Sequence, residues 1–245
     1  MAHFREHKSI LADAEKRALI YIAGRLPRFI NSDHLSALGL ISMAGAGASF
    51  AAFPFSRWAA LGVVVCLVAN WFGDSLDGTL ARVRQQLRPN YGFYVDHVID
   101  VAGATLLLTG LAVSGLMHPL TACAMLVAYL LVSAETYLAT HAAGIFRMSF
   151  LGFGPTELRI LLAAGALKAA ATAWVHVPVL GSVRLFDLGG VIGSAGLILT
   201  FVVNAVRNTS ALYRAEPLPG NSGADCAEPS NAEKNTALPS AVSVS

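Results

Sequence analysis

Charge is what this sequence has least of: Asp, Glu, Lys and Arg make up 13% of its 245 residues, roughly half of what a soluble domain carries. Hydrophobic residues make up 55%, and the mean hydropathy is +0.59. That excess of Ala, Leu, Val and Gly implies repeated membrane spans of about 20 residues each, not one ordinary buried core. Cysteine is nearly missing. Cys66 and Cys123 lie in apolar stretches and Cys226 in a polar tail, which excludes a disulfide framework and a CxxC metal pair. The net charge of +2 comes without any basic run interleaved with aromatics, so a nucleic-acid surface is excluded as well. A secretory leader is not expected, because Arg5, Lys8, Lys16 and Arg17 precede any long apolar run and no small-residue cleavage site follows one.

Six apolar segments are present, at about 34–53, 58–72, 95–117, 120–141, 158–175 and 186–206. The run at 58–72 is short because its helix continues through Asp74 to Arg82, where polar residues begin on one face. Pro54, Pro119 and Pro178 fall in or beside the connections, where helices must end. With both termini in the cytoplasm, fourteen Lys and Arg lie inside and only Arg57, Lys168 and Arg184 outside, a strong positive-inside bias. The expected fold is an all-α membrane protein with six transmembrane helices. Residues 1–33 read as a cytoplasmic segment in which about Ile10 to Phe29 mixes basic residues with Leu11, Leu19, Ile20, Ile22 and Leu26. This pattern predicts an amphipathic helix lying on the membrane surface, with a soluble helix packed by its apolar face as the alternative. Residues 34–206 form the six-span domain. Residues 207–245 read as a cytoplasmic, disordered tail, Pro-, Ser-, Asn-, Ala- and Gly-rich toward its end.

The chemistry gathers in one stretch. Asp74-Ser75-Leu76-Asp77-Gly78-Thr79-Leu80-Ala81-Arg82 is followed, after a polar turn, by Gly92-Phe93-Tyr94-Val95-Asp96-His97-Val98-Ile99-Asp100. Carboxylates at the ends of spans are costly unless paired, hydrated or bound to cations. On helices, Asp74 and Asp77 share a face, as do Asp96 and Asp100. The short turn holding Gln85, Gln86, Arg88, Pro89 and Asn90 makes the two helices antiparallel neighbours, so the four carboxylates converge. Oxygen ligands without Cys or His suit a hard cation such as Mg²⁺ or Mn²⁺, and four of them suit two ions clamping a phosphoryl group. Gly78 and Arg82 continue the Asp74 face: the glycine admits a nucleotide close to the backbone, and the arginine can bind phosphate.

This stretch resembles the signature of the CDP-alcohol phosphotransferase family, DxxDGxxAR followed by GxxxDxxxD. All eight signature residues are present: Asp74, Asp77, Gly78, Ala81, Arg82, Gly92, Asp96 and Asp100. One departure is visible, since nine residues separate Arg82 from Gly92, one more than is usual, and the addition falls in the turn, where insertions are tolerated. The resemblance implies a six-span domain facing the cytoplasm, in a bacterial inner membrane, acting in phospholipid synthesis. It implies Asp74, Asp77, Asp96 and Asp100 as metal ligands, with Asp100 also the general base for an alcohol acceptor. The alkoxide would attack the β-phosphorus of a CDP-linked donor and CMP would leave. The substrate-binding set would comprise Gly78, Ala81 and Arg82, with Asp33 and Ser36 from the polar start of the first span and Asn70 one turn before Asp74.

Other signals have two readings each. The segment Asn31 to Ser36 can contact nucleotide or cap a helix, and Asn70 can face the cytidine or bond a neighbouring helix. His97 points away from the Asp96–Asp100 face and reads as a packing residue. Glu135, in mid-span, is a pocket candidate or a hydrogen-bond partner of another span. Gly154-Pro155-Thr156-Glu157 and the Asp96-His97 pair are similar to segments of the choline and ethanolamine branch of the family, which makes Pro155 and Glu157 acceptor-pocket candidates. Arg147 and Arg159 flank the same region as phosphate or lipid-headgroup ligands. Gly45, Gly47, Gly189, Gly190, Gly193 and Gly196 permit close helix packing or a homodimer.

Two alternatives stand beside this reading. An aspartate-rich, prenyltransferase-like enzyme also binds diphosphate and Mg²⁺, but lacks the Gly-x-x-Ala-Arg continuation. An ion-coupled transporter would call for an internal repeat or broken helices at mid-membrane. The signature handles only cytidine, phosphates and metals, so the donor is left as CDP-diacylglycerol with a small alcohol, or CDP-choline or CDP-ethanolamine with diacylglycerol.

Overall fold

The computed structural model describes residues 10–143, 155–178 and 181–216. Seven helices and one hairpin follow in order: α1 (Ile10–Arg25), α2 (Ser32–Ala51), α3 (Ala59–Val83), α4 (Pro89–Val113), α5 (Pro119–Ala143), α6 (Pro155–Ala171), β1 (Trp174–Val177), β2 (Gly181–Arg184) and α7 (Leu185–Ala215). Helices α2, α3, α4, α5 and α7 are long and apolar enough to cross a membrane; α6 has 17 residues. Ile41, Val65, Val68, Leu138, Val191 and Leu199 are exposed on these helices, a distribution that suits a lipid surround and would be a liability in water. The chain is a multi-pass integral membrane protein.

Glycine sets how closely the central helices approach. A Cβ on Gly73 would lie 2.7 Å from the Leu35 carbonyl oxygen and 2.9 Å from the Gly39 nitrogen, so α2 and α3 touch backbone to backbone one residue before Asp74. Gly47 and Gly110 do the same for α2 and α4, since a Cβ on either would overlap the other helix's main chain. Such contacts replace a hydrophobic drive that is missing between helices in lipid. Helix α2 packs against both α3 and α4, α6 against α3, and α5 against α4 and α7.

Two apolar clusters sit at opposite ends of this bundle. Ala46, Phe50, Val63, Leu67, Leu111, Met117 and Phe186 form the larger one, where the Phe50 and Phe186 rings meet edge to face at 5.5 Å. Leu35, Leu76 and Leu80 form the smaller, and Leu19 and Ala23 dock α1 onto it. Ile20, Tyr21 and Phe29 stay exposed beside that docked face. Arg84 locks the join by donating to the carbonyls of Leu26 at 2.9 Å, Pro27 at 3.0 Å, and Ile30.

The turn between α3 and α4 is a Schellman motif. Gln86 N–H bonds to the Ala81 carbonyl and Gln85 N–H to the Arg82 carbonyl, with Gln85 left-handed at φ 55°. Pro89 then opens α4, where its missing N–H costs nothing.

Several boundaries differ from those read off the apolar runs. The fifth apolar segment predicts a helix as far as Val175, but α6 ends at Ala171 and Trp174–Val177 pairs antiparallel with Gly181–Arg184. The alternating Val175-His176-Val177, then Pro178 and Gly181 at φ 74°, favour a hairpin over a helix end. The protein is otherwise helical, as expected of an all-α membrane protein, with this one short hairpin between α6 and α7. Helix α4 begins six residues before the apolar run, at Pro89, and ends at Val113 because Gly115 turns the chain at φ 75°. Helix α7 continues through Arg207 to Ala215, so the first nine residues assigned to the tail are helical; their polar side chains interrupt the apolar run but are good helix formers or neutral in it. The rest of the tail, from 217, lies outside the described residues.

Candidate active site

Helices α3 and α4 bring three aspartates together. Asp74, Asp96 and Asp100 each offer a carboxylate oxygen, and these oxygens all lie within 4.8 Å of one another. Carboxylates so close repel unless a cation sits among them, and an all-oxygen set is the donor chemistry that hard divalent cations take. These residues fit a metal centre. Bound there, a divalent ion would neutralise the cluster and polarise a phosphoryl group.

Asp77 is not one of those three and is bonded to α2. Its Oδ2 accepts from Ser36 Oγ at 2.7 Å, and its Oδ1 faces the Gly78 N–H at 2.5 Å. Ser32 Oγ donates to the Asp77 carbonyl oxygen at 3.1 Å. The Gly73 contact presents these two serines to α3, so α2 orients the second aspartate of the signature. Asn31 caps α2, accepting from His34 N–H at 3.0 Å while His34 Nδ1 accepts from Asn31 N–H. The segment thus caps a helix through Asn31 and reaches the signature through Ser32 and Ser36.

Arg159 joins the site from α6. Its Nη2 lies 2.5 Å from Asp74 Oδ2 and its Nε donates to Asn70 Oδ1 at 2.8 Å. Asn70, buried, passes the chain on to the Gly39 carbonyl at 3.0 Å. One polar thread therefore ties α6, α3 and α2 around the first aspartate. Asn70 is bonded to neighbouring helices, and Arg159 is placed against a signature carboxylate.

The remaining candidates are distributed more widely. Arg82 is exposed near the end of α3, and a Cβ on Gly78 would lie 3.8 Å from its Nη2; the two share an open face. Asp33 pairs with Arg88, whose guanidinium also lies 4.0 Å over the Tyr91 ring. Ala81 is half-buried and accepts the Schellman bond, and Gly92 leaves open space at the start of α4. His97 is buried and packs between Phe93 at 4.1 Å and Tyr137 at 4.8 Å, with Nδ1 at 2.6 Å from the Phe93 carbonyl and 3.9 Å from Asp96 Oδ2. Glu135 accepts from Asn208 Nδ2 at 2.6 Å, linking α5 to α7. Pro155 opens α6, and Glu157 is exposed in its first turn. Arg147 and Gly154 lie outside the described residues. Gly190 and Gly193 of α7 face Met117, Thr121 and Met125, whereas Gly189 and Gly196 have nothing beside them.

A cleft of about 890 Å³ opens next to the signature, between the α1–α2 linker and the α3–α4 turn. Arg28, Asn31, Ser32, Asp33, Arg84 and Arg88 line it, and none of the four signature aspartates does. Its basic wall suits an anion, and Ser32 connects it to Asp77.

The profile of the CDP-alcohol phosphatidyltransferase family matches residues 34–202. The chain belongs to this family. Membership makes it a transferase of phosphate-containing groups and accounts for the acidic cluster without an ion pathway, in preference to a transporter or a prenyltransferase-like enzyme. No curated protein matched the chain. The match takes in all eight signature residues and Arg159 but stops short of α1 and of the last turns of α7.

Proposed function

We propose that this family member transfers a substituted phosphate from a CDP-linked donor to an alcohol, releasing CMP, at a two-ion Mg²⁺ or Mn²⁺ centre. The observation that carries this reading is the convergence of Asp74, Asp96 and Asp100 inside the matched family region. Asp77, oriented by Ser36, completes the ligand set. Asp100 takes the proton from the acceptor hydroxyl. The acceptor oxygen then bonds to the β-phosphorus as the bond from that phosphorus to the CMP oxygen breaks. Gly78 and Arg82 supply the open face on which the donor's phosphates lie, and the basic cleft beside Ser32 receives its anionic, water-exposed part.

The proposed topology has six spans, counting α6, with both termini and the active site in the cytoplasm of a bacterial inner membrane. It rests on the fourteen-to-three division of Lys and Arg. Helix α1 lies along the membrane surface, its exposed Ile20, Tyr21 and Phe29 in lipid and its Leu19 and Ala23 against α3. The unpartnered Gly189 and Gly196 leave room for a homodimer contact. The donor is CDP-diacylglycerol or a CDP-amino alcohol, and one of donor and acceptor is a lipid.

The test is CMP release by purified protein in lipid or detergent, with Mg²⁺ or Mn²⁺. CDP-diacylglycerol, CDP-choline and CDP-ethanolamine are each offered with a mixture of alcohols. Metal-dependent CMP from one donor supports the reading and identifies the donor. No CMP from any donor, in folded and metal-loaded protein, overturns it.

A further inference from the structure

Asn70 and Asp74 stand one turn apart on one face of α3, and the guanidinium of Arg159 spans both. Its Nε donates to Asn70 Oδ1 at 2.8 Å and its Nη2 to Asp74 Oδ2 at 2.5 Å. The Arg159 side chain is 16% exposed, so water competes little for these bonds. A guanidinium is a rigid planar fork, and bonds to two residues of one helix fix its plane as well as its distance. Asn70 is fixed in turn. It is buried, and its Nδ2 donates to the Gly39 carbonyl at 3.0 Å. That bond turns Oδ1, the acceptor that an arginine requires, toward α6.

A pin between α6 and α3 could end on any acceptor. This one ends on an aspartate whose carboxylate is among the three with oxygens within 4.8 Å of one another. Asp77, the other signature aspartate on α3, is held in the same manner, its Oδ2 accepting from Ser36 of α2. With Oδ2 of Asp74 engaged, the carboxylate is no longer free to rotate about its Cβ–Cγ bond. Carboxylates that ligate a metal are commonly held by such outer hydrogen bonds, which set their orientation.

We propose that Arg159 and Asn70 are positioning residues for the metal centre: Asn70 aims the Arg159 guanidinium, and the guanidinium holds the Asp74 carboxylate in the orientation a divalent cation takes. This role rests on the metal-centre reading above and extends it to two residues outside the acidic signature. Charge and orientation make opposite demands on Arg159. A positive charge beside Asp74 repels a cation, whereas an oriented carboxylate attracts it, so variants that keep the charge isolate the orientation.

The test is the Mn²⁺ Kd of the purified full-length protein in detergent, without substrate, read by electron paramagnetic resonance. Arg159→Lys keeps the charge and loses the fork; Asn70→Ala keeps Arg159 and removes its anchor. Each is expected to raise the Mn²⁺ Kd about tenfold or more. Asn208→Ala, which breaks the α5–α7 bond to Glu135, is expected to leave the Kd within about twofold. A Kd unchanged in Arg159→Lys or in Asn70→Ala overturns the proposal, since Arg159 would then only neutralise Asp74 or pin α6. If Asn70→Ala does not fold, Arg159→Lys decides alone. A Kd raised equally in Asn208→Ala also overturns it, because a generally loosened bundle would account for the loss. Wild-type Mn²⁺ binding that Asp100→Asn weakens establishes the metal centre separately, so a failure of the positioning role is distinguishable from a failure of the centre. A folded wild type that binds no Mn²⁺ overturns both.

Discussion

Replacing Asp100 by Asn should make the metal-free protein more stable and the metal-bound protein less so. At 4.8 Å and an effective dielectric of about 20, two carboxylates repel by about 3.5 kcal/mol. Asp74 contributes little to that repulsion, because Arg159 lies 2.5 Å from its Oδ2. The Asp96–Asp100 term is left, and the Asp96 side chain is 49% exposed, so water screens it by about half. The carboxylate-to-amide change should therefore stabilise the metal-free fold by about 1–2 kcal/mol. Saturating Mn²⁺ reverses the order. An ion present at about a hundred times its Kd stabilises wild type by about 2.7 kcal/mol, and a variant lacking one ligand gains less. The assay is denaturant unfolding of detergent-solubilised protein at alkaline pH, which favours ionised carboxylates, with EDTA or with Mn²⁺. The curves should cross between the two conditions. If Asp100→Asn is less stable than wild type in EDTA, hydrogen bonds to the Asp100 carboxylate outweigh its repulsion and the electrostatic reasoning fails.

Arg159→Gln and Asp74→Asn should each destabilise the metal-free protein, and the double variant should fall short of their sum by about 2 kcal/mol, the coupling of a charged, half-buried hydrogen bond; additivity in a double-mutant cycle would mean that the pair carries no energy. Gly73→Ala should cost about 1–3 kcal/mol and depress turnover as well, since its methyl would force α2 from α3 and draw Ser36 off Asp77; a fully active, equally stable variant would show that the helices separate freely. Gln85→Gly should stabilise by about 1 kcal/mol by relieving the left-handed turn, read as a shift in unfolding midpoint with unchanged activity.

The acidic motif was legible because its logic is local. Asp74, Asp77, Asp96 and Asp100 lie on two helices joined by a turn of a few residues, so helical periodicity and one antiparallel reversal bring three of them together without knowledge of any other element. Apolar runs locate α2 and α5 to within two residues, and α3 as well once its polar continuation to Arg82 is added, but they misplace the ends of α4, α6 and α7. Hydropathy reports what a membrane tolerates, whereas helix ends follow turn geometry: the Gly115 reversal, the hairpin at Pro178 and Gly181, the Schellman turn at Gln85. The polar stretch from Arg207 is helical although it reads as the beginning of a tail.

Long-range pairing was not legible. Arg159 stood out only as a cation near the start of a span, and nothing local indicated that it would meet Asp74, 85 residues away. Glu135 and Asn208, 73 apart, present the same difficulty. The energetic demands explain the difference. A carboxylate cluster must be neutralised wherever the chain places it, which makes it conspicuous in sequence. The residues around it need only be polar and suitably spaced, so their placement emerges when α6 is seen against α3.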